Sequence, residues 1–263
     1  MVFDHEKEWI LHPIEEGATG DAFMGVSDSE RVFLKRNASP FITTLSAEGV
    51  TPKLKWSRKT YSGDTLIAQE WKDGYLLERT DMNQQRVVDL IRRIHYSEKL
   101  TSVLRRVGGK EYLPLDFINL YFHDLPNHLL QNSFFNQIIH YLENSINNDF
   151  YEHELTLCHG DLNHHNFLVD ENETLYLVDW ENVRIADSLS DITWLLCQYF
   201  PPSQWIDWFE QYKFEYDDTF YERVRWYSLI NCLLLIKDYY KSNQYDKVNE
   251  TVLLLQSIYK NSK

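Results

Sequence analysis

The chain has 263 residues, 43% hydrophobic and 25% charged, which describes a folded protein of one large domain or two lobes and excludes extensive disorder. Lys plus Arg number 26 against 40 Asp plus Glu, a net charge of −14 that argues against a general polyanion surface and direct nucleic-acid binding. A cationic substrate, a basic protein partner, or ATP neutralised by a few donors and Mg²⁺ all fit that charge. The longest apolar run, Leu229 to Ile236, contains Asn231 and ends at Lys237 and Asp238. It falls far short of the about 20 residues that cross a bilayer, so no membrane insertion is expected. The opening Met-Val-Phe-Asp-His-Glu-Lys-Glu is acidic and lacks the build of a signal peptide, so the expected location is cytoplasmic.

In chain order, the front of the sequence reads as short strands. Gly17-Ala-Thr-Gly20 opens a glycine-containing loop whose N–H groups suit phosphate, although it is neither Gly-x-Gly-x-x-Gly nor Walker A. Arg31 to Lys35 alternates as a strand, Pro40 to Gly49 suits a short helix closed by glycine, and Leu54 to Trp71 suits a hairpin turning at Ser62-Gly63-Asp64. Lys72-Asp73-Gly74 is a break that separates a β-rich N-lobe, residues 1–72, from a larger, mainly helical C-lobe, residues 73–263. Beyond it, Gln84 to Tyr96 and Ser133 to Ile146 show helical periodicity. Leu155 to Cys158, Phe167 to Val169 and Leu175 to Val178 are short β-type runs, and from Asp191 the pattern is mostly helical. The expected fold class is therefore α+β in two lobes.

The chemistry concentrates in His159-Gly-Asp161-Leu-Asn-His-His-Asn166, followed thirteen residues later by Asp179. Phosphoryl transfer to an alcohol needs a group to orient the hydroxyl and take its proton, hard oxygen ligands for Mg²⁺, and a cation on the phosphates. Asp161 suits the first task, Asn166 and Asp179 the second, and Lys35 the third. If Phe167 to Val169 and Leu175 to Val178 form a hairpin, Asn166 and Asp179 meet at its open end. Taken singly, Asp161 also reads as a turn residue and Lys35 as a surface lysine; their combination is what carries the reading. His159 suits loop support, and His164 either faces the substrate or is solvated. No Cys/His set accompanies His159, His164 and His165 for zinc, and Cys158, Cys197 and Cys232 stand alone in apolar surroundings as buried thiols.

The His-x-Asp-x-x-x-x-Asn pattern with a later Asp resembles protein-kinase catalytic chemistry, and its His-Gly-Asp and Asp-Trp-Glu variants resemble the aminoglycoside phosphotransferase and choline kinase family. Pro13-Ile14 with the following glycine loop, Ala68 to Trp71, Asp81-Met-Asn83 and Tyr176 to Glu181 are similar to a branch of bacterial cell-cycle regulators in that family. The resemblance implies a bilobal protein-kinase-like fold, ATP and Mg²⁺ as cofactors, and a ribose- or 2-deoxyribose-type acceptor. It also implies a role in timing replication, with a protein partner in replication or division. It makes Asp161, Lys35 and His159 the catalytic set and Asn166 with Asp179 the metal ligands. Gly17, Gly20, Lys35, Glu48, Glu70 and Trp71 would bind nucleotide. Glu48, the only acidic residue between Lys35 and Asp64, is the expected ion-pair partner of Lys35. Glu70-Trp71 would offer backbone groups to adenine.

Trp180 and Glu181 stand where protein kinases carry Phe-Gly, which favours a small acceptor and puts these two with His164 near it. Asp191 suits a first helical turn through the helix dipole, and by resemblance anchors the catalytic loop. The rival readings are a choline- or amine-directed kinase, with Trp205 and Trp208 as a cation cage, and a non-catalytic scaffold.

Overall fold

The structure is a computed structural model that describes residues 9–14, 22–28, 30–60 and 63–260; Gly17 and Gly20 lie outside the described residues. The first strands and helix are β1 (Ile10–Pro13), β2 (Ala22–Val26), β3 (Arg31–Arg36), α1 (Ile42–Ala47), β4 (Leu54–Lys59), β5 (Thr65–Glu70) and β6 (Gly74–Leu76). Helices α2 (Gln85–His95), α3 (Glu98–Arg106), α4 (Pro114–Phe122), α5 (Asn127–Leu130) and α6 (Ser133–Ser145) follow. Then come β7 (Thr156–Cys158), β8 (Phe167–Asp170), β9 (Leu175–Leu177) and β10 (Arg184–Ala186). The chain closes with α7 (Ser188–Tyr199), α8 (Trp205–Tyr212), α9 (Phe220–Lys241) and α10 (Tyr245–Lys260). The described chain is thus β-rich at the front and helical behind, as its residue pattern requires.

Two compact units result, Met1–Glu78 with His164–Glu181, and Arg79–Asn163 with Asn182–Lys263. This division differs from a single cut at 72/73. The segment 164–181 joins the first unit because β6 pairs antiparallel with β8, which pairs with β9. Gly74 permits that pairing: a Cβ there would lie 1.9 Å from the Val169 carbonyl oxygen.

In the first unit, an antiparallel sheet of order β1-β2-β3-β5-β4 buries Val32 and Leu34 of β3 with Leu66 and Ala68 of β5 and with Trp9. The alternation in β3 is what leaves Lys35 off that core face. Buried Gln69 donates to the Pro52 carbonyl at 2.7 Å and the Thr51 hydroxyl at 3.2 Å, fixing the entry to β4. Gly49 follows α1 with φ +66°, the left-handed stop expected of a glycine past a helix end.

The second unit is built around α9, whose residues from Trp226 to Lys237 are buried without a break. A helix apolar on all sides must be surrounded, and α4, α6, α7 and α10 pack on it. Its buried charged residues Lys237 and Arg223 are engaged. The Lys237 Nζ donates to the Leu120 and His123 carbonyls, and the Arg223 guanidinium holds Asp187 at 2.5 Å and Asp217 at 2.6 Å. Asp187 also accepts from the Leu189 N–H, which makes it the N-cap of α7 and leaves Asp191 within the first turn. Among the described residues, no helix is long and apolar enough to cross a membrane.

Candidate active site

The first unit gathers a cation and oxygen ligands. Strands β8 and β9 form the expected hairpin, in register Phe167 to Leu177, and the Val178 N–H donates to the Asn166 carbonyl at 2.8 Å. Asp170 shapes the turn by accepting from the Asn172 and Thr174 N–H groups, each at 2.9 Å. Asn166 and Asp179 thus flank the open end of one hairpin. Asp179 has φ +63°, a left-handed conformation that Asp tolerates better than most residues and that recurs at functional sites. Lys35 reaches this end: its Nζ lies 2.9 Å from Asp179 Oδ1 and 2.7 Å from Glu181 Oε1. Burial would lower the Lys35 pKa, but the bonds to Glu181 and Asp179 outweigh it and hold the pKa above the usual lysine value. Lys35 is therefore a fixed positive charge beside two carboxylates.

Glu48, the expected partner of Lys35, instead ends α1 as its C-cap residue. The hairpin carboxylates take that place because β9 is tied to the chain after α1 through the Leu177 N–H and the Val50 carbonyl, 2.9 Å apart. Glu70 ends β5, donates its N–H to the Lys53 carbonyl at 2.8 Å and faces Lys72 at 3.4 Å. The Trp71 indole donates to Asp73 at 3.1 Å. His164 lies in the 3-10 turn His164–Asn166, its ring 3.8 Å from that of His165. Trp180, expected near the acceptor, is buried and donates its indole N–H to the Leu177 carbonyl at 2.9 Å. It is a packing residue, because the turn after β9 folds the large ring inward. Glu181, expected beside the acceptor, is engaged by Lys35.

The second unit holds the His159–Asn163 loop between β7 and β10, which pair antiparallel with Cys158 opposite Arg184. Asp191, only 1% exposed, accepts the His159 N–H on Oδ2 at 2.6 Å and the Gly160 N–H on Oδ1 at 2.9 Å. The Arg184 guanidinium donates to the Gly160 carbonyl at 3.0 Å, so the Gly160 residue is gripped at both its N–H and its C=O. Gly160 has φ +84°, and a Cβ there would lie 2.3 Å from the Asn182 carbonyl oxygen. Only glycine fits that turn. The His159 ring accepts the Asp161 N–H on Nδ1 at 3.3 Å, a loop-supporting contact. The Asn163 amide donates to Asp161 Oδ1, and the Tyr199 hydroxyl lies 3.4 Å from Asn163 Oδ1.

Burial opposes ionisation of Asp191, but the His95 hydrogen bond and nearby positive groups prevail and hold its carboxyl below the usual range. Arg184, His95, Asn163 and Tyr199 were not legible in the sequence. Only the left-handed demand at Gly160 carries a local signal. Trp205 and Trp208 are buried; Trp205 donates to the Phe200 carbonyl at 3.0 Å, and Trp208 stacks on Tyr212 with centroids 5.4 Å apart. They pack the second unit instead of forming an exposed cage.

Residues 11–227 match the sequence profile of the phosphotransferase enzyme family. The chain belongs to that family. A choline kinase from Streptococcus pneumoniae superposes with TM-score 0.70 at 16% identity, over 95% of this chain and 94% of that one. The GDP complex of an aminoglycoside 2′-phosphotransferase gives TM-score 0.64 at 16% identity, over 99% and 95% of the two chains. A spectinomycin phosphotransferase with ADP and spectinomycin gives 0.60 at 15%, over 92% and 88%. Likeness at these identities establishes the fold, and the expected α+β protein-kinase-like class holds. As a family member, the chain is a phosphotransferase enzyme.

Proposed function

We propose that the protein is an ATP-dependent kinase acting on a hydroxyl of a small molecule, of the ribose or 2-deoxyribose type. The observation that carries the phosphotransfer reading is the fixed Lys35 cation against Asp179, on the hairpin that Asn166 opens. Here Asp161 accepts the acceptor's hydroxyl proton, while the acceptor oxygen bonds to the γ-phosphorus and the bond to the bridging oxygen breaks. His159 supports the loop. Lys35 contacts the nucleotide phosphates, exchanging one carboxylate contact for a phosphate contact. Gly17 and Gly20 offer N–H groups to phosphate, and Glu70 and Trp71 offer backbone groups to adenine.

The carboxamide oxygen of Asn166 and the carboxylate of Asp179 are hard donors of the kind Mg²⁺ takes, so these residues fit the ion. Bound Mg²⁺ supplies neutralisation of the phosphate charge. Asp179→Ala should weaken Mg-ATP binding by calorimetry more than Asp161→Ala does, and the reverse order refutes the assignment.

The ribose-type preference and a role in cell-cycle and replication control, through a protein partner in replication or division, rest on the sequence resemblance. A cytoplasmic location is part of the same reading. A choline- or amine-directed kinase is the second reading, favoured by the charge of −14. The burial of Trp205 and Trp208 removes the cage it had relied on. Transfer of labelled γ-phosphate to a panel of ribose, 2-deoxyribose, choline and ethanolamine separates the two. Product on the sugars is expected, and product on choline alone overturns the preference. Unchanged cellular function of Asp161→Ala would favour a scaffold instead.

A further inference from the structure

We propose that His95, held by Tyr212, is a positioning residue that fixes the His159–Asp161 loop through Asp191. Only the kinetic arm of this inference rests on the kinase reading above.

His95 ends α2 and is 6% exposed, with its ring between two groups from other helices. Its Nε2 lies 3.3 Å from Asp191 Oδ2 on α7, and its Nδ1 lies 2.9 Å from the Tyr212 hydroxyl, the last residue of α8. A carboxylate only accepts, so Nε2 must carry a proton. In the neutral ring Nδ1 is then the acceptor, and the Tyr212 O–H donates to it. Burial pushes the Tyr212 phenol far above its usual value, so that hydroxyl keeps its proton. The Thr156 hydroxyl donates to the His95 carbonyl, which ties the backbone of His95 to β7.

Asp191 thus receives three hydrogen bonds, from His95 Nε2–H and from the N–H groups of His159 and Gly160. The last two are the residues immediately before Asp161. A buried carboxylate with two donors instead of three has less to offset its desolvation, so it tends to take a proton or to turn. A proton on either oxygen would meet a backbone N–H or lose its acceptor role there. The three helices therefore fix the loop in series: Tyr212 orients His95, His95 keeps Asp191 charged and aligned, and Asp191 holds the loop. Cys158 lies beside this group, but its thiol is pushed up by burial. The Asp191 oxygens already face N–H donors, whose hydrogens would confront any cation, so a metal does not suit the cluster.

The test uses the full chain as His95→Leu, His95→Gln and Tyr212→Phe. It reads single-residue amide exchange, Mg-ATP affinity, and kcat with KM on whichever acceptor the panel identifies. In His95→Leu, exchange at Gly160 should rise at least about tenfold beyond any rise in the α9 core, as for a local opening. Its kcat should fall on the order of 10²-fold, the scale of a displaced reacting group, with KM for Mg-ATP unchanged. His95→Gln should restore most of kcat, since its amide N–H reaches the same carboxylate. Tyr212→Phe should repeat the pattern at smaller amplitude.

A folded His95→Leu with normal kcat and normal Gly160 exchange overturns the proposal. So does a uniform rise of exchange across α9 and the loop, which marks general loosening. If His95→Leu does not fold, Tyr212→Phe decides, and unaltered Gly160 exchange there overturns it. If the wild type transfers phosphate to no acceptor while Gly160 is selectively deprotected, the kinase reading fails and the positioning role stands.

Discussion

Asp161→Asn should lower turnover by roughly 10²–10⁴ while leaving Mg-ATP binding intact, because it removes the group that takes the acceptor's proton and no ligand of the nucleotide. The expected split follows from how the residue is held. Asp161 Oδ1 accepts from the Asn163 amide, and its backbone N–H is bonded to His159. An asparagine fits the same space and can keep the Asn163 contact through its carbonyl oxygen. What it loses is the carboxylate charge, and with it the basicity needed to take a proton from the acceptor. Single-turnover kinetics measure the loss, and calorimetry with Mg-ATP measures the affinity. A variant that binds poorly but turns over normally once saturated would place Asp161 with the nucleotide instead.

The hairpin Phe167–Leu177 was readable because two short β-type runs with polar residues between them have few alternatives. Once it forms, Asn166 and Asp179 must flank its open end. Lys35 was likewise readable from the alternation of β3, which separates it from Val32 and Leu34. Its partner was not. Glu48 was the only acidic residue between Lys35 and Asp64, yet the carboxylates that meet Lys35 come from residues 179 and 181. Local sequence lists candidates for a charge pair, but only long-range strand packing chooses among them.

The same limit hid His95 and Arg184. Each reads as an ordinary polar residue of a helix end or a strand, and each becomes a loop holder only after distant elements close around it. Trp180 shows the reverse case, while Trp205 and Trp208, a cage only in the rival reading, pack in the core. A tryptophan near a catalytic motif suggests a ligand surface, but burial of its large apolar area usually wins. The helix start at α7 was also misplaced by a few residues. Asp191 carries a charge suited to a first turn, while Asp187 has the side-chain geometry that closes it.

Asp191→Asn should destabilise the fold, by about 3–5 kcal/mol at neutral pH if it behaves as a broken buried charge pair. The reason is geometric. Oδ2 accepts from His159 and His95 and Oδ1 from Gly160, so whichever position the new NH₂ takes, it confronts at least one N–H donor. A donor facing a donor in a buried place costs more than a lost bond. The pH dependence separates this charge from the carboxylates the two proteins share, such as Asp170. The folded Asp191 carboxyl lies below its unfolded value of about 3.9, so its contribution is complete above that value. It is lost as pH falls through the lower folded value. Wild type and Asp191→Asn should therefore differ most near neutrality, and the gap should narrow only below about pH 4. Urea unfolding from pH 7 down to pH 3 measures it. A gap that stays constant with pH would mean that shape, and not the ionised carboxylate, stabilises this loop. That result would also remove the electrostatic reason for His95 to stand where it does.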